Sequence, residues 1–158
     1  MAKVIMTCGR ICSGKSIYAE KLRREMNAVV LSVDELTLAL FNNEAGEMHD
    51  TYVERAERYF FEKSVQIVQA GIDVILDWGF WTKAERKYAK EFFGSRNIES
   101  ELHYIRLDDA LWKERITCRN SLVKAGKISA YYVDEELLRK FALIFEEPEE
   151  YEINKIIS

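Results

Sequence analysis

A short glycine-containing segment near the start of the chain has the residue types needed to bind a phosphate. Residues 7–16 read TCGRICSGKS, so that Gly9 to Ser16 fit the pattern G-x-x-x-x-G-K-[ST]. In this pattern the glycines let successive backbone N–H groups point at one phosphate, the lysine reaches the β- and γ-phosphates, and the hydroxyl binds Mg²⁺. The pattern therefore predicts a nucleotide-binding loop, called the P-loop below, made of Gly9, Arg10, Ile11, Cys12, Ser13, Gly14, Lys15 and Ser16.

The surroundings of the P-loop favour this interpretation over a plain glycine turn with a solvated lysine. The apolar run at 3–8 precedes the loop and an amphipathic segment follows from Lys15. This context places the loop at the N-terminus of a helix, where the positive end of the helix dipole attracts anions. Cys12 lies inside the loop. It is either an oxidation-sensitive thiol or only a small residue, and we favour the second interpretation.

Length and composition predict one globular domain over residues 1–158. The net charge of -4 and the pI near 5.4 disfavour a broad nucleic-acid surface. The chain has no apolar run of about 20 residues, and its first residues do not have the pattern of a signal peptide. The three cysteines lack the spacing of a zinc site or a disulfide framework, which indicates reduced thiols. We therefore expect a cytoplasmic protein without a membrane partner.

Apolar runs alternate with amphipathic stretches along the chain, a pattern typical of an α/β domain with a parallel sheet. Strands are predicted at 3–8, 28–31, 72–77, 101–107 and, at the sheet edge, 151–157. Helices are predicted from Lys15 (with the apolar stripe Ile17, Leu22 and Met26), over 33–41, 50–70 and 83–94, after Asp108 or Asp109, and over 134–147. Residues 42–47 are predicted as a polar loop. Ser32 with Glu35, and Thr82 with Glu85, have the spacing of capping boxes.

Three further segments give the chain a resemblance to a known family. They read LSVDEL at 31–36, VILDWGFWTKAERKYA at 74–89 and LDDALWKERITCRN at 107–120. With the P-loop, they make nearly the whole chain similar to the small P-loop kinases related to the kinase domain of phage polynucleotide kinase, chloramphenicol phosphotransferase and the zeta toxins. The resemblance implies a five-stranded, mostly parallel sheet flanked by helices, an arginine-bearing lid, and ATP with Mg²⁺ as cofactors.

Two aspartates are the candidates for proton transfer and metal binding. Asp34 matches the family position of the carboxylate that activates the acceptor hydroxyl, which must lose its proton when it attacks the γ-phosphoryl group. Alternatively, Asp34 only complements the dipole of the helix that begins there. Asp77 ends an apolar strand, a position suited to a Mg²⁺ ligand beside Ser16 or to a simple turn residue. Which aspartate is the base stays open at this stage.

Arginines could supply the positive charge that a transferring phosphoryl group needs. Arg115 and Arg119 are four residues apart, so they share one helical face, and they match the lid of the resembled family. The alternative is a solvated face that pairs with neighbouring acids. Arg86 matches an arginine that recurs after the third strand in that family, without a clear role.

Aromatic and histidine side chains complete the set of candidate residues. Trp78, Phe80 and Trp81 follow Asp77 directly, and they either wall an acceptor pocket or pack in the core. His49 falls in the predicted polar region and His103 in a predicted strand. Neither has a partner at a spacing that indicates chemistry, so we interpret both as structural.

These observations favour a kinase that transfers the γ-phosphoryl group of ATP to a hydroxyl of a small molecule. A GTPase-like switch is disfavoured because the guanine-reading N-K-x-D motif is missing, although nucleotide preference stays open. A nucleotide-binding regulator without catalysis is a third possibility, which acceptor-dependent turnover would distinguish. Within the kinase hypothesis, a 5′-hydroxyl polynucleotide is the alternative acceptor, disfavoured by the acidic charge balance.

The P-loop hypothesis makes a direct prediction about Lys15. The Lys15→Ala variant should lose nearly all phosphoryl transfer and bind ATP more weakly, because the ammonium group no longer contacts the β- and γ-phosphates. Wild-type protein should gain thermal stability from ATP and Mg²⁺, since a ligand that binds only the folded state stabilises it. A melting curve at millimolar ATP is the measurement, and an unchanged melting temperature of the wild type would contradict the prediction.

Overall fold

Five short strands form one parallel sheet at the centre of the fold. The structure, a computed structural model, describes residues 1–42, 44–128 and 130–158. The strands are β1 (Val4–Cys8), β2 (Val29–Ser32), β3 (Val74–Asp77), β4 (Ser100–Ile105) and β5 (Lys155–Ile157). Their order is β2-β3-β1-β4-β5, and every neighbouring pair runs parallel. The predicted α/β architecture with a five-stranded sheet is therefore confirmed.

Helices cover both faces of this sheet. They are α1 (Lys15–Met26), α2 (Val33–Phe41), α3 (His49–Gln69), α4 (Lys83–Gly94), α5 (Asp109–Lys124) and α6 (Glu135–Ile144), with 3-10 helices at Gly46–Met48 and Glu150–Glu152. None of the helices in the described ranges has the length and apolar character needed to cross a membrane.

The core has two layers because β1 is buried on both sides. Its residues alternate: Val4 and Met6 face a cluster formed with α3 and α4, whereas Ile5 faces α1. A strand that is buried on both faces requires a continuous apolar run, and VIMTC satisfies this requirement. The edge strand β2 is more exposed along its whole length.

The strand register places the ends of β1, β2 and β3 level with one another at one edge of the sheet. Thr7 of β1 lies level with Asp77 of β3, and Asp77 lies level with Ser32 of β2. The P-loop, the segment after Asp77 and the start of α2 all leave the sheet from these positions. In open α/β sheets the crevice at the carboxyl ends of the strands is where ligands bind.

Most predicted boundaries agree with the structure to within one or two residues, and the helix caps explain why. Ser32 accepts a hydrogen bond from the Glu35 backbone N–H at 3.2 Å, and Asp108, rather than Asp109, caps α5. At Thr82 both halves of a capping box are present. The predicted polar loop at 42–47 includes Asn43, which lies outside the described residues.

Three predictions at the ends of elements were wrong. The last strand begins at Lys155 rather than at 151, because residues 150–152 form a 3-10 helix. Helix α6 ends at Ile144, since Phe145 adopts an extended backbone conformation. His49 is the first residue of α3 rather than part of a loop, and its ring contacts Tyr131 edge-on.

The predicted apolar stripe of α1 also requires a correction. Ile17 is 78% exposed, whereas Ala19 and Leu22 are buried against the sheet. The reason is helical geometry. Leu22 is five positions after Ile17, and at about 100° per residue this places the two side chains about 140° apart around the axis. Residues 19, 22 and 26 form the face that packs on β1 and β3.

This packing predicts different stabilities for two alanine variants of α1. Leu22→Ala should lower the free energy of unfolding by about 2–5 kcal/mol, because it removes buried methyl groups and leaves a cavity. Ile17→Ala is the matched control on the same helix and should change the free energy by no more than about 0.5 kcal/mol. Urea denaturation measures both, and equal losses would contradict the assignment of the buried face.

Candidate active site

The P-loop joins β1 to α1 in a conformation that requires glycine at one position. Gly14 is the N-cap of α1 and has φ 97° and ψ 17°, in the left-handed region that side chains rarely adopt. A Cβ atom there would lie 2.9 Å from Nη1 of Arg115. The Lys15 ammonium group folds back over the loop and donates to the carbonyl oxygens of Arg10 (2.8 Å) and Gly9 (3.3 Å). The predicted loop residues therefore form one contiguous cradle.

Ser16 and Asp77 are directly paired beside this loop. Ser16 Oγ donates to Asp77 Oδ2 at 2.9 Å, and Thr7 Oγ1 lies 3.4 Å from Asp77 Oδ1. The Asp77 side chain is buried, which raises the pKa of its carboxyl group against the opposing effects of Ser16 and Lys15. A hydroxyl and a carboxylate are the oxygen ligands that Mg²⁺ prefers, with phosphate oxygens and water completing its octahedral shell.

The charges around Lys15 connect the loop to both candidate aspartates. Burial lowers the pKa of the Lys15 ammonium group, whereas the nearby carboxylates of Asp77 and Asp34 raise it. Asp34 is the second residue of α2 and is exposed in the same cleft. The structure thus brings together the lysine and both aspartates that sequence reasoning selected.

Helix α5 docks on the P-loop through the face that carries the two predicted arginines. Nη1 of Arg115 donates to the Ser13 carbonyl oxygen at 3.0 Å, and Nη1 of Arg119 contacts Cys12 Sγ at 3.2 Å. The two arginines therefore share the face of α5 that contacts the P-loop, although Arg115 is also exposed, and their role as lid residues stays a prediction. The Arg119 Nε atom is buried and has no hydrogen-bond partner within the described part of the chain.

Sequence reasoning missed Trp112, which belongs to this same face. Its indole Nε1 donates to the Ile11 carbonyl oxygen at 2.6 Å, and the Arg10 guanidinium lies 4.7 Å above its ring. Arg10 also forms an ion pair with Asp109. The spacing of 112, 115 and 119 is the i, i+3, i+7 pattern of one helical face, so the signal was available in the sequence.

The segment after Asp77 forms a tight turn at residues 78–81, called the aromatic turn below. Trp78 and Phe80 stack with ring centroids 4.9 Å apart and are buried in the core, yet both also line the cleft. Packing in the core, one of the two alternatives, is therefore found for Trp78 and Phe80, and their role as the wall of an acceptor pocket stays a prediction. Gly79 has a structural reason of its own: a Cβ atom there would lie 1.8 Å from Nε1 of Trp81.

These parts enclose a cleft of about 1750 Å³. Its described lining comes from the P-loop, α2, the aromatic turn, the first half of α3 and the cleft-facing sides of α5 and α6. Glu57 of α3 lines it as a half-buried carboxylate. Burial, with repulsion from Glu85 and Glu54, raises the pKa of Glu57 to about 7. Sequence reasoning missed Glu57 because its position in a long helix has no distinctive spacing.

Two contacts lie beside the cleft on the side of α6. Tyr131 and Thr37 share a hydrogen bond of 2.5 Å between their hydroxyl groups, and Lys140 pairs with Asp50 at 3.1 Å. Both contacts join the segment that follows α5 to helices α2 and α3.

The other residues singled out from the sequence lie away from the cleft or support the core. His103 is buried between the Tyr18 hydroxyl (2.7 Å) and the Glu101 carboxylate (2.8 Å), as expected for a structural histidine. Arg86 is buried in an ion pair outside the cleft lining. Among the described residues, no group of three or more His, Cys, Asp or Glu side chains could hold a metal ion.

Comparison with known structures reveals the same fold in several solved proteins, among them kinases. Kti12 from Chaetomium thermophilum, solved with ADP-AlF3, has a TM-score of 0.72 at 14% identity, over 98% of this chain and 87% of that one. A gluconokinase from Sinorhizobium meliloti has a TM-score of 0.64 at 13% identity, over 98% and 80%. The APS kinase CysC from Mycobacterium tuberculosis, solved with AMPPNP and APS, has a TM-score of 0.62 at 18% identity, over 85% and 84%.

At these identities the likeness establishes the fold, a P-loop kinase fold with a five-stranded parallel sheet. A comparison with curated proteins finds no match. One family model, described as an AAA domain (AAA_33), matches residues 4–148 and so includes the P-loop, both aspartates and both arginines of α5. Because the match covers most of its length, the chain belongs to this AAA domain family.

Proposed function

We propose that this protein, as a single domain, is an ATP-dependent kinase that phosphorylates a hydroxyl group of a small molecule. The observation that carries the proposal is the convergence of Lys15, the Ser16–Asp77 pair and Asp34 in one cleft. Phosphoryl transfer needs little covalent chemistry from a protein, so positioned charges of this kind supply most of the catalysis. The kinase fold of the structural neighbours supports the same conclusion.

The residues at the loop fit ATP and Mg²⁺. Buried groups without a hydrogen-bond partner in the described structure include Ser13 Oγ and Arg119 Nε, both at the loop, where phosphate oxygens would satisfy them. Lys15 would exchange its two backbone carbonyl partners for the β- and γ-phosphates. Ser16 and Asp77 would hold Mg²⁺, which neutralises negative charge on the phosphates when it is bound.

Asp34 is better suited than Asp77 to accept the proton of the attacking hydroxyl. Asp77 is buried, and one of its oxygens already accepts a hydrogen bond from Ser16, the other residue that would hold Mg²⁺. Asp34 is exposed to the cleft and close enough to Lys15 to raise its pKa. A carboxylate in that position can orient an acceptor hydroxyl toward the γ-phosphate and take up its proton.

Arg115 and Arg119 are proposed as the lid arginines that stabilise the transferring phosphoryl group. Both guanidinium groups contact residues of the P-loop, so they lie next to the backbone that would bind the phosphates. Fixed positive charge at that point lowers the energy of the transition state more than that of bound ATP.

The charge of the cleft favours a small, uncharged or amine-bearing acceptor over a polynucleotide. Helices α2, α3 and α4 contribute only acidic charged groups to the described lining, namely Asp34, Glu35, Asp50, Glu57 and Glu85. The one lysine from α6, Lys140, is paired with Asp50. Proteins that bind nucleic-acid backbones place lysines and arginines along the contact surface. Among the acceptor classes of the resembled kinases, we therefore favour a small molecule over a polynucleotide.

An acceptor screen tests this function. ATP consumption is measured with nucleosides, sugars, hydroxyl-bearing antibiotics, amino sugars and 5′-hydroxyl oligonucleotides, each against protein without acceptor. Acceptor-dependent turnover with a small molecule supports the kinase. Turnover with oligonucleotides alone would show that the acceptor is a polynucleotide. Nucleotide binding without any acceptor-dependent turnover would instead support a regulator.

We also propose that the protein is cytoplasmic. Its three cysteines are free, which agrees with a reducing compartment.

The Asp34→Asn variant distinguishes the two interpretations of Asp34, as the base for the acceptor hydroxyl or as a residue that only complements the helix dipole. Transfer to the acceptor should fall by about 10²–10⁴-fold, because the amide cannot accept the proton, while ATP binding survives through the P-loop. Steady-state kinetics and ATP titration measure the two effects. Glu135→Gln, which removes a carboxylate from the first turn of α6, controls for the helix dipole. Intact turnover with a lower melting temperature would overturn the base assignment and direct attention to Asp77.

Replacing Arg115 or Arg119 with alanine should lower kcat more than it raises the KM for ATP. The physical reason is that their charge matters most when charge develops on the transferring group. Initial rates at varied ATP concentration give both constants. Arg139→Ala, on the exposed side of α6, is the control and should match the wild type. Wild-type kinetics in both α5 variants would exclude the lid role.

A further inference from the structure

A buried ion pair joins helix α4 to the C-terminal segment of the chain. Arg86 Nε donates to Glu152 Oε1 at 2.9 Å, and Nη2 donates to Oε2 at 3.4 Å. The two side chains are only 3% and 10% exposed. Such a pair is weak evidence for stability, because the cost of removing both charges from water offsets much of their attraction. Stability alone therefore does not explain why the Arg86–Glu152 pair lies at this position.

The third donor of Arg86 reaches the aromatic turn. Nη1 donates to the Phe80 carbonyl oxygen at 2.8 Å, and the Cys8 thiol lies 3.5 Å from the same oxygen. Phe80 has φ 47°, which is unusual for a bulky residue and costs conformational energy. Arg86 therefore binds the carbonyl group of Phe80, the residue of the turn whose backbone conformation is strained.

The aromatic turn contacts the P-loop directly. The Gly9 backbone N–H donates to the Gly79 carbonyl oxygen at 3.3 Å, and Asp77, the proposed Mg²⁺ ligand, immediately precedes the turn. Trp78 and Trp81 line the cleft, and we assign them to the wall against which the acceptor would bind, called the acceptor wall. A shift of the Phe80 carbonyl would thus move the start of the P-loop and one wall of the cleft together.

We propose that Arg86 and Glu152 are positioning residues for phosphoryl transfer, which hold the aromatic turn so that the acceptor wall keeps its place against the P-loop. The inference rests on the proposed kinase function. It gives a role to an arginine whose purpose the sequence did not explain. It also extends the functional unit beyond residues 4–148 that match the family model, since Glu152 follows them.

The fork geometry of arginine is what this role requires. One guanidinium group must bind a carboxylate through two nitrogens and a carbonyl oxygen through the third, and a lysine ammonium cannot match that planar arrangement. Glu152 in turn supplies the charge that keeps the buried guanidinium in place. Loss of either partner should therefore loosen the turn while the sheet below it stays intact.

The test uses Glu152→Gln and Arg86→Lys in the full chain, with Glu150→Gln as the matched control. Glu150 lies in the same 3-10 helix, is exposed, and loses the same charge without contacting Arg86. Kinetics are measured well below the melting temperature, with the acceptor found in the screen. Both variants should lose about 10–100-fold in kcat/KM for the acceptor, since misplacement of about 1 Å can cost that much. The KM for ATP should change far less, and the control should match the wild type.

A second readout does not depend on turnover. Hydrogen exchange at the Gly9 amide should become faster in both variants, because the Gly79 carbonyl oxygen that accepts its hydrogen bond is less well held. The exchange rate should stay unchanged in the control. Faster exchange together with the acceptor-specific loss supports the proposal. A lower melting temperature with wild-type kinetics and wild-type exchange would overturn it and leave a purely structural pair. If the wild type phosphorylates no acceptor, the kinase function fails, and the Gly9 exchange alone decides whether the pair holds the turn.

Discussion

Asp77 is a carboxylate buried at the carboxyl edge of a parallel sheet, and its need for partners organises the surrounding structure. A buried carboxylate is costly unless hydrogen bonds or positive charges stabilise it. Ser16 from the first turn of α1, Thr7 from the neighbouring strand and the Lys15 ammonium group provide that stabilisation. The P-loop and β3 are thereby held together before any ligand binds. The proposed Mg²⁺ ion would bind to two of these oxygen-bearing side chains, Ser16 and Asp77, which already lie side by side.

The parts around this pair differ in how firmly the fold holds them. Strand β1 is buried on both faces, and the turn at 78–81 is joined to it by backbone and side-chain hydrogen bonds. Helix α5 contacts the P-loop mainly through long side chains, namely Trp112, Arg115 and Arg119. Side chains can exchange partners more easily than packed strands can. This difference suits the proposed kinase function, in which the P-loop would stay fixed while the proposed lid arginines adjust to the nucleotide.

Acidic groups dominate the part of the cleft away from the P-loop, and this distribution divides the site into two chemical halves. Lysine and arginine groups gather at the loop, where the phosphates would bind. The half-buried Glu57, with its pKa raised to about 7, lies among carboxylates on the other side. A negatively charged acceptor would meet repulsion there, whereas a hydroxyl compound that carries an amine would neutralise the cluster.

The sequence alone determined the order of the main helices and strands and the position of the P-loop, and it selected two aspartates that the structure places in one cleft. Local signals carry this information: a glycine in a left-handed conformation, a cap three residues before its partner, and a buried strand ending in a carboxylate. The prediction that Ile17 belongs to the buried face of α1 was wrong, because its spacing from Leu22 does not match one helical face. The tertiary structure decided everything that depends on register and distant contacts. It put Asp77 level with Thr7 and Ser32, turned Arg115 toward Ser13, and joined Arg86 to Glu152 across 66 positions. No local pattern encodes such a pair, because its energy depends on burial that exists only after the sheet and both helical layers have assembled.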